Sequence, residues 1–256
     1  MRRVVVTGLG VVAPNGIGKD DFWDACVNGR SGVREITSFD ASTFPIKIAG
    51  EVRDFDPTPF IPDSMRKSMK VMGRAAKFGV GAAGLAIQDA GISTENENPE
   101  RIGVVVGTGI VPVDVPEIMP MLQRVVNADG TFDLNNLDQS NTTPLFPLWL
   151  LRLLPNMISA HISMMFNAQG PNSTVTTACV AGTQAVGEAF RLIARDDCDL
   201  ALAGGSDSRI DPLLCLAYCA LGALSPANRA PEQVSRPFDG QRDGFVLGEG
   251  AGVLVL

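Results

Sequence analysis

The sequence predicts an α/β fold in which helices cover both faces of one largely parallel sheet. Short apolar runs rich in β-branched residues recur along the chain, as at Arg2–Thr7, Arg101–Thr108 and Leu200–Gly205. Their continuous apolar character is typical of strands that are buried on both faces. Segments with helical spacing separate these runs, and this alternation builds parallel strands joined by crossovers.

The N-terminal elements follow from local patterns. After the first strand, Gly8–Ala13 fits the loose dinucleotide motif GxGxxG/A, but Pro14-Asn15-Gly16 breaks the helix that a nucleotide would need, so a tight turn is favoured. Asp20–Asn28 is predicted to be a helix closed by Gly29. After an irregular excursion, Ser64–Gly91 predicts one long helical region.

The second half of the chain continues the alternation. A low-charge insert with several prolines occupies about 109–154. Ser173–Thr177 and Gly252–Leu256 are further predicted strands, and Asp211–Leu224 is a predicted helix. Because the sequence stops inside an apolar strand, we expect it to be part of a longer protein.

Composition excludes several classes of function. The 256 residues carry a formal net charge of −7, so nucleic acid is not an expected partner. Five cysteines without a CxxC pair, and one histidine, His161, predict a reducing cytoplasm and no metal site. His161 is favoured as a core residue. No signal peptide and no membrane span are predicted, since no apolar run reaches about 18 residues.

Cys179 stands where the strand-like Ser173–Thr177 gives way to a segment of small residues with helical spacing. The free amides and the dipole at the start of a helix favour an anion such as a thiolate. Cys179 is therefore a candidate nucleophile, while a small apolar filler is the alternative interpretation. A second candidate feature is the basic face of Arg66, Lys67, Lys70 and Arg74, which predicts either docking of an acidic partner or a solvated surface.

Several ordered motifs resemble the β-ketoacyl-acyl-carrier-protein synthases of the thiolase superfamily, specifically the elongating type. They are Val4–Gly16, Val105-Val-Gly-Thr-Gly109, Gln169-Gly-Pro171, Thr176-Thr-Ala-Cys179-Val-Ala-Gly182, Ala203-Gly-Gly-Ser206, Leu224-Ser225, Arg236-Pro-Phe-Asp239 and Arg242–Gly252. The resemblance implies two similar βαβαβαββ halves, of which residues 1–256 are the N-terminal, thiolase-like half with a five-stranded sheet. It also implies a homodimer, with part of the insert at Gly109–Leu154 and the strand before Cys179 near the interface.

The resemblance further implies that Cys179 is acylated from acyl-carrier protein, and that the acyl group then condenses with malonyl-carrier protein in fatty-acid or polyketide elongation, without a cofactor.

The resemblance also implies binding residues. Ile110 and Tyr218 fall at acyl-pocket positions. The carrier-docking patch of the family is matched by Arg66, Lys67, Lys70 and Arg74, although Gly222 replaces a common docking arginine. The family's histidines and lysine lie in the absent C-terminal half. We therefore expect this half alone to lack condensation activity. The alternatives are a non-catalytic half-module that dimerises or binds acyl chains or carrier protein, and a coenzyme-A-dependent initiating enzyme.

Overall fold

The structure is a computed structural model that describes residues 2–137, 145–226 and 229–256. Residues 138–144 of the predicted insert lie outside the described part. The helices are α1 (Lys19–Val27), α2 (Arg74–Ala90), α3 (Val115–Leu122), α4 (Met157–Met165), α5 (Ala181–Ala194) and α6 (Pro212–Ala220). The strands are β1 (Gly8–Ala13), β2 (Gly16–Ile17), β3 (Val33–Glu35), β4 (Ile48–Gly50), β5 (Ile102–Gly107), β6 (Asn172–Val175), β7 (Leu200–Asp207) and β8 (Gly250–Val255).

The main sheet has the strand order β2-β1-β8-β7-β5-β6 within the described residues. Strands β5, β6 and β7 pair in parallel, whereas β8 is antiparallel to both β7 and β1. Strand β1 thus shares the direction of β5–β7, and only β8 and the short β2 run the other way. The predicted α/β class with a mixed, mostly parallel sheet is confirmed. The sheet gains a sixth strand because β1 turns back into the two-residue β2.

Helices pack on both faces of the sheet, as the alternation of side chains along β5 shows. Val104 and Val106 belong to a core cluster with α2 and α4, while Val105 belongs to a second cluster with α5. Successive strand residues point to opposite faces. Among the described helices, none has the length and apolarity needed to cross a bilayer.

Two predictions about the N-terminal elements were wrong. The first strand lies at Gly8–Ala13, where a turn was expected, and not at Arg2–Thr7. This strand crosses α2 so closely that a Cβ on Gly10 would lie 1.9 Å from the Ala82 carbonyl oxygen. The predicted helix Ser64–Gly91 is also broken, into a 3₁₀ helix at Asp63–Val71 and α2, with extended backbone at Met72 and Gly73 between them.

Candidate active site

Cys179 lies in a sharp turn between a strand and a helix. Strand β6 ends at Val175, a single 3₁₀ turn spans Ala178–Val180, and α5 starts at Ala181. Ala178 has φ of 55°, in the left-handed region that side chains with a Cβ disfavour. Such a residue costs about 1–3 kcal/mol and is typical of functional sites. The turn leaves Cys179 exposed, at the predicted start of a helix.

The amides around Cys179 are available to an anion. Within the described residues, no side chain forms a capping hydrogen bond at the start of the 3₁₀ turn or of α5. The helix dipole adds a partial positive charge at the same place. Backbone N–H groups aimed at a developing oxyanion are the usual means of stabilising acyl-transfer intermediates.

Small residues bring this helix start close to the sheet. A Cβ on Gly107 would lie 2.3 Å from the Gly182 amide nitrogen, and one on Gly205 would lie 3.2 Å from the Gly182 Cα. The first turn of α5 therefore rests directly on the ends of β5 and β7. Because β5, β6 and β7 are parallel, the loops that follow them meet at one edge, which is where α/β proteins bind ligands.

Ile110 and Tyr218 belong to the same edge. Ile110 is 63% exposed and directly follows Gly109. Arg209 packs so tightly against Gly109 that a Cβ there would lie 1.5 Å from its Nη2 atom. Arg209 also donates hydrogen bonds to the Tyr218 hydroxyl at 2.8 Å and to Asp207 at 2.6 Å. The structure thus links the Ile110 loop to Tyr218 through Arg209, which sequence reasoning missed. Its one signal was a charged pair, Asp207-Ser-Arg209, just after a buried strand.

The basic residues divide into two groups. Arg66, Lys67 and Lys70 are exposed on the 3₁₀ helix, where Arg66 pairs with Asp63 at 2.8 Å. The Arg74 guanidinium instead lies 2.5 Å from Glu249, a buried carboxylate, and donates to the Val52 carbonyl at 2.6 Å. Arg74 therefore joins the segment at Val52 to the segment at Glu249. This structural role competes with the carrier docking predicted for Arg74. His161 is buried, as predicted for a core residue, and burial lowers its pKa.

Comparisons with known proteins agree with this architecture. Residues 1–256 match the family described as "Beta-ketoacyl synthase, N-terminal domain". The chain is 40% identical over 255 residues to 3-oxoacyl-[acyl-carrier-protein] synthase 2 of Coxiella burnetii, and 38% identical over 255 residues to the Synechocystis protein of the same name. Both matches include 100% of this chain, but they include only 58% of the Coxiella protein and 57% of the Synechocystis protein.

Solved structures of ketosynthases also resemble the chain over almost its full length. The ishigamide ketosynthase/chain length factor has a TM-score of 0.80 and 32% identity, and the match covers 99% of this chain and 58% of that one. The ketosynthase of AntDE:AntF, a type II polyketide synthase complex with acyl-carrier protein, has a TM-score of 0.73, 31% identity and coverage of 99% and 57%. The chain belongs to the β-ketoacyl synthase N-terminal domain family, and it spans less than three fifths of the length of these relatives.

Proposed function

We propose that the chain is the N-terminal half of an elongating 3-oxoacyl-acyl-carrier-protein synthase, with Cys179 as its nucleophile. The supporting observation is the exposed Cys179 at the uncapped start of α5, beside a strained Ala178. In the first step the Cys179 thiolate attacks the thioester carbonyl of an acyl-carrier protein and expels the carrier thiolate, which takes up a proton. The Cys179 amide is one donor to the oxyanion.

In the second step malonyl-carrier protein loses carbon dioxide, and the resulting carbanion attacks the acyl-cysteine. The carbon–carbon bond forms as the bond to Cys179 breaks, which returns the thiolate and releases 3-oxoacyl-carrier protein. Ile110 and Tyr218 line the acyl pocket in this proposal, because both lie at the edge that presents Cys179. The remaining oxyanion donor, the two histidines and the lysine come from the C-terminal half, so residues 1–256 alone do not condense.

The uncovered face of the sheet supports a second half. On the side where α5 covers β5 and β7, Leu9 is 43% exposed and its partner Leu254 is half-buried. Exposed apolar strand residues of this kind mark an interaction surface. The outer edge of β6 is also unpaired among the described strands, which supports a homodimer joined at that edge. The free cysteines fit a cytoplasmic location for it. Arg66, Lys67 and Lys70 form the carrier-docking patch.

Acyl transfer to Cys179 is the direct test. The full chain is incubated with an acyl-carrier protein, and the site of acylation is found by peptide mass spectrometry. We expect the acyl group on Cys179 alone and none on the Cys179→Ser variant. Because Cys26 is also exposed, its iodoacetamide labelling rate is an internal control. A Cys179 that reacts no faster than Cys26 and accepts no acyl group would favour the non-catalytic half-module.

The docking patch has its own test. Lys67→Glu should raise the KM for acyl-carrier protein about tenfold, because it reverses a charge that attracts the acidic carrier, while transfer from a small acyl thioester stays unchanged. Lys47→Glu, an exposed lysine outside the patch, is the matched control. Equal effects of the two substitutions would contradict docking at this surface.

A further inference from the structure

Arg209 lies on the loop after β7, at the edge of the sheet that presents Cys179. Its guanidinium donates one hydrogen bond to the Tyr218 hydroxyl at 2.8 Å and another to the Asp207 carboxylate at 2.6 Å. The side chain is only 19% exposed, and its Nε atom is buried without a hydrogen-bond partner among the described residues. An enclosed guanidinium with two such bonds resists displacement.

The same guanidinium fills the space beside the loop after β5. A Cβ at Gly109 would lie 1.5 Å from the Arg209 Nη2 atom, so not even a methyl group fits between them. The Tyr218 ring is itself held in place, because it packs edge-to-face on Phe245 with ring centroids 5.9 Å apart. Gly109, Arg209 and Tyr218 therefore form a continuous wall next to the exposed Ile110, which we call the Arg209 barrier.

The Arg209 barrier is charged. Burial acts to lower the pKa of Arg209, but the hydrogen bonds to Asp207 and Tyr218 outweigh it and raise that pKa. The guanidinium therefore stays ionised at neutral pH, beside the Asp207 carboxylate. An alkyl chain that reached the barrier would have to strip water from this ion pair or break its hydrogen bonds, and both changes are unfavourable. An acyl group that ends short of the barrier avoids both.

We propose that Arg209 is a specificity-determining residue that restricts Cys179 to short acyl groups. This inference rests on the proposed function, in which Ile110 and Tyr218 line the acyl pocket. The other groups of the barrier, a glycine and an aromatic ring, do not oppose an alkyl chain. The guanidinium opposes it through both its bulk and its charge, so the pocket accepts a butyryl group and rejects a decanoyl group.

Acylation rates of Cys179 with thioesters of increasing chain length test this. The full chain is incubated with acetyl, butyryl, hexanoyl and decanoyl N-acetylcysteamine thioesters, which need no carrier docking, and peptide mass spectrometry gives the rate at Cys179. We expect the wild-type decanoyl rate to be about tenfold or more below the butyryl rate. Arg209→Ala should raise the ratio of the decanoyl rate to the butyryl rate about tenfold, because it removes the guanidinium from the barrier.

Arg195→Ala is the matched control. Arg195 also pairs with an aspartate two residues away, Asp197 at 3.1 Å, but it lies at the opposite end of α5 from Cys179. Its substitution should leave the decanoyl-to-butyryl ratio at the wild-type value. Arg209→Met should raise this ratio, because a flexible apolar side chain without the two hydrogen bonds moves aside for an alkyl chain. Circular dichroism confirms that each variant folds.

Equal rates for all four chain lengths in the wild-type chain would overturn the role of Arg209 and leave acyl transfer at Cys179 intact. A decanoyl-to-butyryl ratio that stays at the wild-type value in both Arg209 variants would do the same, since a purely structural role lowers all the rates together. Acylation of Cys179 by none of the four thioesters would instead contradict the proposed function, and the specificity of Arg209 with it.

Discussion

At the scale of single residues, Ala178 sets the direction in which Cys179 points. Its left-handed backbone turns the chain out of β6 and into α5 within a few residues. A glycine would adopt this conformation without a steric cost. An alanine there indicates that the surrounding packing enforces the turn, and therefore that the position of Cys179 is defined rather than flexible.

Ala178→Gly should stabilise the domain by about 1 kcal/mol, because it relieves the strain at φ of 55°. Ala181→Gly is the matched control, since Ala181 has helical φ and ψ of −56° and −44° and is buried against the sheet. The same change should destabilise there by about 1 kcal/mol or more. Urea denaturation measures both values. Destabilisation by Ala178→Gly would show that the turn is not strained.

Arg209 and Gly109 should be energetically coupled, because a methyl group at position 109 occupies the place of the Arg209 guanidinium. Gly109→Ala should cost about 1–3 kcal/mol by displacing Arg209 from Asp207 and Tyr218. In an Arg209→Ala background the same substitution should cost far less. A double-mutant cycle in urea gives the coupling energy, and additive effects would contradict the contact.

At the scale of elements, glycines decide where β1 lies. Sequence patterns could not place it, because Val4, Val5 and Val6 look more like a buried strand than Gly8–Ala13 does. The decisive fact is tertiary: β1 runs against the backbone of α2, and only glycine allows that approach. The break at Gly73 has a similar origin, since a Cβ there would lie 3.0 Å from the Arg152 carbonyl oxygen.

Gly10→Ala should destabilise the domain by about 3 kcal/mol or prevent folding, because the new methyl group meets the rigid backbone of α2 at Ala82 and Ala86. Gly252→Ala is the control on the neighbouring strand, where a Cβ meets nothing within 4 Å. It should change the stability by less than about 1 kcal/mol. Thermal denaturation of both variants checks this, and similar melting temperatures would refute the close packing.

At the scale of the whole molecule, the predictable features were local ones. The turn at Cys179 and the alternation of strands and helices leave a clear pattern in neighbouring residues. The partners of Arg74 and Arg209 leave no such local pattern. Glu249 is 175 residues away in sequence from Arg74, and Gly109 is 100 residues away from Arg209. Contacts across such distances depend on the complete fold.

Buried carboxylates tie the irregular segment after β3 to the rest of the fold, and they make its stability depend on pH. Burial alone would raise the pKa of Glu51, but hydrogen bonds donated by Ser38 and Thr37 outweigh it and lower the pKa from 4.5 to about 2. A lowered pKa in the folded state contributes stability that is complete above about pH 5 and is lost as pH falls towards 2. The shift corresponds to about 3 kcal/mol.

Glu51→Gln should therefore destabilise the domain by up to about 3 kcal/mol at pH 7. The difference in unfolding free energy between this variant and wild type should decrease steadily between pH 5 and pH 3. Urea midpoints measured across this range test the claim. Glu35→Gln, on an exposed residue of β3, is the control and should shift stability by no more than about 0.5 kcal/mol at any pH. A gap between Glu51→Gln and wild type that stays constant with pH would mean that Glu51 is not held as a carboxylate by these amides.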